Sequence, residues 1–328
     1  MITLVLPTRN RSGLLDCAIA SVFKQKLTRA NFEIVLLDNG SIDDTHEIAL
    51  KWIEQLGNLS YFYVPEPGLH VGRHRGMLEA KGDVLVFADD DIEATPCWLG
   101  AIHEAFQDPD LAMMGGNDLP MFMGAPPDWL YELWSYEKPD KSHSIPLLSI
   151  QQNPPGKRKF SPYWVWGCNF AIRKEVLLAA GGFHPDGMPQ DLIRFRGDGE
   201  THVSKYVADN NLKCIFDSRA TVYHKVTPER MTFEYFRNRG FNQGISDSYT
   251  QLRAGISEVK SHHSIQTRFA RWSLRKLRRM KSFLCGEKKI SPAIEEYQAG
   301  FQAGFAFHQD AYRDDPEVRA WVHKKYYF

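Results

Sequence analysis

The sequence predicts an α/β protein, a mostly parallel sheet flanked by helices, followed by a mainly helical C-terminal extension. Over the first ninety residues, short apolar runs rich in β-formers alternate with segments whose apolar residues recur at helical spacing. Polar clusters close several of the apolar runs, where open α/β sheets bind ligands. Beyond Thr227 the strand-like runs stop and helical patterning continues to the end.

The elements follow in order. ITLVL reads as the first strand, and Leu14, Leu15, Ala18, Ile19, Val22 and Phe23 mark the helix after it. EIVLLD is the second strand, with Ile48, Trp52 and Leu56 on its following helix. SYFYV, the short helix GRHRGMLEA and the strand DVLVF complete the series. From 119 to 162 prolines are frequent and periodicity is weak, which predicts an irregular insertion or mobile loop. WVWGCNFAIRKEVLLAAGGF reads as a strand, a helix and a Gly-Gly stop, and CIFDSRATVYH as further strand. The expected division is a domain over 1–227 (a first half over 1–118, an irregular insertion or mobile loop over 119–162, and a second half over 163–227) and a helical extension over 228–328.

Bulk properties narrow the class. Hydrophobic residues make up 43% and charged residues 24%, as in soluble globular proteins. Lys plus Arg and Asp plus Glu are 40 each, so no global field points to nucleic acid. Cys17, Cys97, Cys168, Cys214 and Cys285 form no C-x-x-C pair, which suits reduced thiols. The opening ITLVLP reads as a strand, not a signal peptide, and no apolar run is long enough for a bilayer. The expected location is cytoplasmic, or peripheral at the inner face of a membrane.

The fourth strand ends in three consecutive carboxylates, Asp89, Asp90 and Asp91. Like charges this close repel and raise each other's pKa. A solvated turn capping the next helix is the plain reading; a divalent cation is the sharper one.

The succession LPTRNR, LLDNGSIDDT, GRHRG, FADDD, WGCNFAIR, GGF, GDGET and VYH resembles the inverting family 2 glycosyltransferases of GT-A fold, over roughly Met1 to Lys225. Each motif alone is weak; the whole series in order is specific. The resemblance implies a nucleotide-sugar donor (UDP- or dTDP-linked), a divalent metal (Mg²⁺ or Mn²⁺), and an acceptor hydroxyl on a glycan or lipid-linked saccharide. Hard cations suit carboxylates and a diphosphate. The resemblance assigns Asp91 and Asp89 to the metal, with His224 completing it, and Asp90 to the donor's hydroxyls. It puts Pro7, Thr8 and Arg9 in the first nucleotide loop, Asp38 and Asn39 at the base, and Arg73 near the phosphates. Where many members carry Asp-Asp, this chain has Asp38-Asn39, which leaves the nucleotide open. The plainer readings are an N-cap cluster around Ser41 and, for Arg75, a solvated cation.

Inversion needs one base to take the acceptor's proton. The family's Glu-Asp pair falls in RFRGDGETHVSKYV, where Glu200 takes the base position if Val203 and Val207 are the helix's buried residues. Gly199 then replaces the usual Glu, and Asp198 is the alternate base. A helix N-terminus enriched in acids explains one of the two without chemistry. Trp164, Trp166 and Asn169 are candidates for a sugar pocket, since aromatic faces stack on sugar rings; both tryptophans equally suit the core.

Rival functions are testable on the sequence. A nicotinamide oxidoreductase needs G-x-G-x-x-G after the first strand, where this chain has PTRNRSG. A nucleotidyltransferase needs a glycine-rich opening loop, also missing; an inactive nucleotide-sugar-binding module remains as an alternative. The basic, aromatic stripe over 266–284 suits either a peripheral membrane contact or a docked or dimer-forming helix. AIEEYQAGFQAGFAF reads as close helix packing rather than chemistry.

Overall fold

A computed structural model describes residues 1–255 and 292–328; the basic stripe over 266–284 lies outside them. The chain divides into two compact units, Met1–Met231 with Lys324–Phe328, and Thr232–His323.

In the first unit, strands β1 (Ile2–Thr8), β2 (Phe32–Asp38), β3 (Leu59–Tyr63) and β4 (Val84–Phe87) alternate with helices α1 (Ser12–Phe23), α2 (Thr45–Leu56) and α3 (Leu69–Glu79). β1 pairs in parallel with both β2 and β4, and β2 with β3. Every residue of β1 and β4 is buried, as expected for strands covered on both faces. Their side chains alternate between two cores. Leu4, Leu6 and Val86 pack with Leu15 and Ile19 of α1 and Trp52 of α2, whereas Val5, Leu85 and Phe87 pack with Met77 of α3.

Beyond β4 the sheet continues through β11 (Phe170–Arg173), β6 (Leu111–Gly115) and β12 (Lys213–Asp217) to β10 (Lys157–Lys159). β11 runs antiparallel to its neighbours β4 and β6, so the sheet is mostly parallel but mixed. Helices α6 (Lys174–Ala180) and α7 (Thr201–Asp209) cover the α3 face through Leu177, Val203 and Val207.

A second sheet was not foreseen. It joins β5 (Ile92–Ala94), β13 (Val222–Val226), β7 (Asp118–Phe122), β9 (Ile150–Gln152) and β8 (His143–Ile145) in that order. After α4 (Trp98–Ala105), the segment 119–162, expected to be irregular, thus supplies strands and the helix α5 (Asp128–Ser135). Its strands are three to five residues long, too short for alternation to register against so many prolines. CIFDSRATVYH is two strands in different sheets, broken by a turn in which Ala220 N donates to Asp217 O. In WVWGCNFAIR only Phe170–Arg173 is strand; Pro162 opens one 3₁₀ turn and Gly167 another.

The second unit is built on two helices, Phe233–Arg253 and Pro292–Asp314. They run in the same direction, since Gly240 lies against Tyr297, Gly244 against Phe301, and Ser248 hydrogen-bonds His308. A Cβ on Gly240, Gly244, Gly300 or Gly304 would fall within 2.1 Å of the facing backbone, so the small residues set the close approach. No described helix is long and apolar enough to cross a membrane.

Candidate active site

The three aspartates sit at the carboxyl end of β4, beside the loop leaving β1. Asp90 is buried; its Oδ2 accepts from Thr8 Oγ1 at 2.7 Å and its Oδ1 from Arg11 Nη1 at 3.0 Å. Burial pushes its carboxyl up to about 6, against the pull of Arg11 and with a further push from Asp91. Asp91 goes the other way. Burial would raise it, but the His224 imidazole and the guanidiniums of Arg230 and Arg11 outweigh burial and hold it low. Arg230 Nη1 is 3.1 Å and Arg11 Nη1 3.4 Å from Asp91 Oδ2.

Asp89, Asp91 and His224 each offer one ligand atom, all within 4.8 Å of one another. β13 delivers His224 here, because its pairing with β5 sets His224 opposite Ile92, next to Asp91. His224 Nε2 lies 3.1 Å from Asp91 Oδ1, yet this buried oxygen has no hydrogen-bond partner of acceptable geometry. Two carboxylates, one imidazole and an orphaned acceptor fit a divalent cation.

Arg73 links the two halves of this charged group. Gly72 and Gly76 let α3 lie almost on the sheet: a Cβ would fall 2.4 Å from Asn39 Oδ1 at the first and 2.3 Å from Val5 Cγ1 at the second. Arg73 is thereby buried, with Nη2 3.4 Å from Asp89 Oδ1 and Nη1 3.5 Å from Glu200 Oε2. Gly167 provides room on the other side, where a Cβ would meet Arg73 Nη2 at 2.3 Å. The two base candidates part here. Glu200, just before α7, faces Arg73, whereas Asp198 Oδ1 is engaged at 2.6 Å by His184 Nδ1 and is nearly buried. Val203 and Val207 are both buried, as the Glu200 register requires.

The remaining expected residues fall on the rim or within the fold. Pro7 and Thr8 end β1 opposite Leu37 and Asp38. Arg9 is exposed. Asp38 accepts from Ser41 N at 2.7 Å and from Tyr61 O–H at 2.8 Å, and Asn39 follows it beneath α3. Ser41 does not cap α2; it accepts from Asn10 N, while Asp43 takes the Thr45 N–H. Arg75 pairs with Glu79 on the surface. Trp164 and Trp166 are half-buried with ring centroids 5.8 Å apart. Asn169 is spent inside the fold: it accepts from Trp98 Nε1 and donates to the Asn117 and Ala220 carbonyls.

Residues 3–178, more than half of the chain, match Glycosyl transferase family 2. The chain belongs to this family. The solved mannosyltransferase PcManGT of Pyrobaculum calidifontis, in complex with GDP-Man and Mn²⁺, aligns with 99% of this chain and 83% of its own. It does so at TM-score 0.55 and 17% identity, which establishes the GT-A fold. The glucosyl-dolichyl phosphate glucuronosyltransferase of Haloferax volcanii is 23% identical over 67% of this chain and 64% of its own length. Glycosyltransferase AglE of the same organism is 26% identical over 35% of this chain and 38% of its own. The match thus spans less than two thirds of either relative.

For a family 2 member, three charged residues of this site escaped the sequence reading. Arg11 stood within the quoted LPTRNR but two residues beyond Arg9, the last residue singled out there. Arg230 belongs to PERM, six residues past His224, and its arrival beside Asp91 depends on the 3₁₀ turn Pro228–Met231. Asp118, at the start of β7, is buried; burial pushes its carboxyl up to about 7 against hydrogen bonds from Gln151 and Asn169. It fell in the segment expected to be loop, where no strand placed it.

Proposed function

We propose that the chain is a metal-dependent, inverting glycosyltransferase that moves a sugar from a nucleoside diphosphate to an acceptor hydroxyl. The observation that carries this reading is Arg73 reaching both Asp89 and Glu200, so one cation joins the metal-binding group to a carboxylate open to the pocket. Residues 1–227 are taken as the catalytic part and 228–328 as its helical extension.

Asp89, Asp91 and His224 would hold Mg²⁺ or Mn²⁺, which neutralises the diphosphate and stabilises it as a leaving group. Arg11 and Arg230 face Asp91 and Arg73 faces Asp89, and their guanidiniums are suited to phosphate oxygens. Asp38, Asn39 and the Pro7-Thr8-Arg9 loop take the base end, and Asp90 the donor's hydroxyls. In the chemical step the acceptor oxygen attacks the anomeric carbon, and the bond from that carbon to the diphosphate oxygen breaks with its electron pair. The hydroxyl proton goes to Glu200. Asp198, already paired with His184, orders the loop. Trp164 and Trp166 are assigned to the sugar side. UDP or dTDP is the proposed nucleotide, and a glycan or lipid-linked saccharide the acceptor, in line with the dolichyl-phosphate relative.

A thermal-shift panel of nucleotide-sugars with and without Mn²⁺ tests the class, because a donor that binds the native state raises its apparent stability. The expected result is a shift for one donor that needs Mn²⁺. Metal-independent shifts by every nucleotide, with no transfer or donor hydrolysis, would leave a binding module.

A further inference from the structure

We infer that Arg230, with Arg11 beside it, is an exchangeable counter-charge on Asp91: it holds this carboxylate until the cation arrives and then passes to the diphosphate, so that metal and donor bind as a pair. The inference rests on the metal reading of the site and deepens it.

The geometry is that of one cation among the ligands of another. Arg230 Nη1 lies 3.1 Å from Asp91 Oδ2 and 3.4 Å from His224 Nε2. One guanidinium nitrogen thus faces two of the three residues whose ligand atoms converge. Arg11 Nη1 reaches the same Asp91 oxygen at 3.4 Å. The 3₁₀ turn Pro228–Met231 places Arg230, with Met231 buried and Arg230 N donating to Thr227 O at 3.0 Å. The contacts of both Nη1 atoms with Asp91 Oδ2 exceed the about 2.7–2.9 Å usual for a charge-assisted bond, so these nitrogens can change partners. The Arg11 side chain is also half exposed.

Charge balance gives the exchange its direction. Ion pairs here join Asp89, Asp90, Asp91 and Glu200 to Arg11, Arg73 and Arg230. Asp90, Asp91 and Arg73 are buried, where water and salt screen little. A divalent cation entering alone brings its charge beside guanidiniums already seated on its ligand. A diphosphate entering alone brings negative charge to a group of carboxylates. Entering together they cancel, and a guanidinium that gives up Asp91 gains phosphate oxygens suited to its fork. The coupling is reciprocal: each ligand raises the affinity of the other by the same factor.

Manganese alone isolates the part of the arginines, because bonds between Mn²⁺ and phosphate couple the two ligands in any such site. Mn²⁺ is titrated without nucleotide and followed by the paramagnetic resonance of the free ion. Arg230→Met is expected to bind it about 10–100-fold more tightly than the wild type, since the ion no longer displaces a charged hydrogen bond. Arg230→Lys keeps the charge and should stay near the wild type. UDP at saturating Mn²⁺, followed by calorimetry, is expected to bind Arg230→Met more weakly, so metal and nucleotide affinities move in opposite directions. A residue that only supports the fold would weaken both. Arg11→Met, at a half-exposed position, repeats the metal titration with the same expected sign should Arg230→Met fail to fold. Variants that bind Mn²⁺ no more tightly than the wild type overturn this inference alone. No Mn²⁺ binding by wild type or variants, with UDP or without, overturns the metal reading as well.

Discussion

Helix α3 buries three polar residues equally and gives them partners of opposite kinds. Arg73, His70 and His74 are each 2% exposed. Arg73 cannot shed its proton, and the fold brings two carboxylates, Asp89 and Glu200, to it. On the other side, His70 and His74 meet backbone groups and rings. His74 Nε2 accepts from Phe183 N, Nδ1 donates to Tyr327 O, and Phe328 packs edge-on at 5.1 Å. Burial, with a smaller push from His70, drops His74 to about 3, and burial drops His70 to about 4, so both are neutral near pH 7. Equal burial therefore does not decide ionisation; the available partners do. The charged side gathers carboxylates around Arg73, and the neutral side anchors the same helix through backbone groups and rings.

The largest effect is expected on the charged side. Glu200→Gln should lower transfer by about 10²–10⁴-fold, the usual worth of a general base, while donor affinity holds. Steady-state transfer and donor titration check this together. Asp198→Asn should instead lower stability first, because it disturbs the His184 pair. If Asp198→Asn loses transfer at unchanged stability and Glu200→Gln does not, the base is Asp198. Next in size, Arg73→Met removes the cation between Asp89 and Glu200. Charged hydrogen bonds contribute about 1.5–3 kcal/mol, so donor affinity should fall roughly 10–100-fold, measured by calorimetry with Mn²⁺.

The contrast between the two sides also marks what could be read in the sequence. Strands with an unbroken apolar run, ITLVL and DVLVF, were legible, and with them the carboxyl-end positions of Asp38 and Asp89–Asp91. The burial of Val203 and Val207 was legible in their spacing, and with it the helix register that sets Glu200 beside Arg73. Arg11, Arg230 and Asp118 were not, because each reaches the site through a turn or a three- to five-residue strand that leaves no periodic trace. The histidine side was equally hidden: Tyr327 and Phe328 join His74 across more than 250 residues, and only the folded chain brings them to Gly182. The basic stripe over 266–284 has a clear pattern, but it lies outside the described residues.

On the neutral side the effects are on stability alone. His74→Phe keeps the ring volume but leaves the Phe183 N–H and the Tyr327 carbonyl without their partner. Each orphaned group costs about 1–3 kcal/mol, and denaturant unfolding at pH 7 should show the loss with donor affinity unchanged.

The same substitution gives the finest test through pH. A histidine whose folded pKa lies below its unfolded value of about 6.5 stays neutral in the native state while the unfolded chain takes up a proton. Its contribution is complete above pH ~6.5 and is lost as pH falls toward the folded value, about 3 for His74. Over that window wild-type stability should therefore fall by up to about 1.4 kcal/mol per pH unit on account of His74 alone. His74→Phe lacks that titration, so its deficit at pH 7 should narrow by about 0.7 kcal/mol on going to pH 6 and by about 1.2 kcal/mol more at pH 5. His70 titrates in parallel toward about 4 in both proteins and cancels in the difference. Unfolding curves for the pair at pH 7, 6 and 5 measure it. A deficit that stays constant across those pH values would mean that His74 is charged in the folded protein, and that α3 does not give its buried residues partners of two kinds as described.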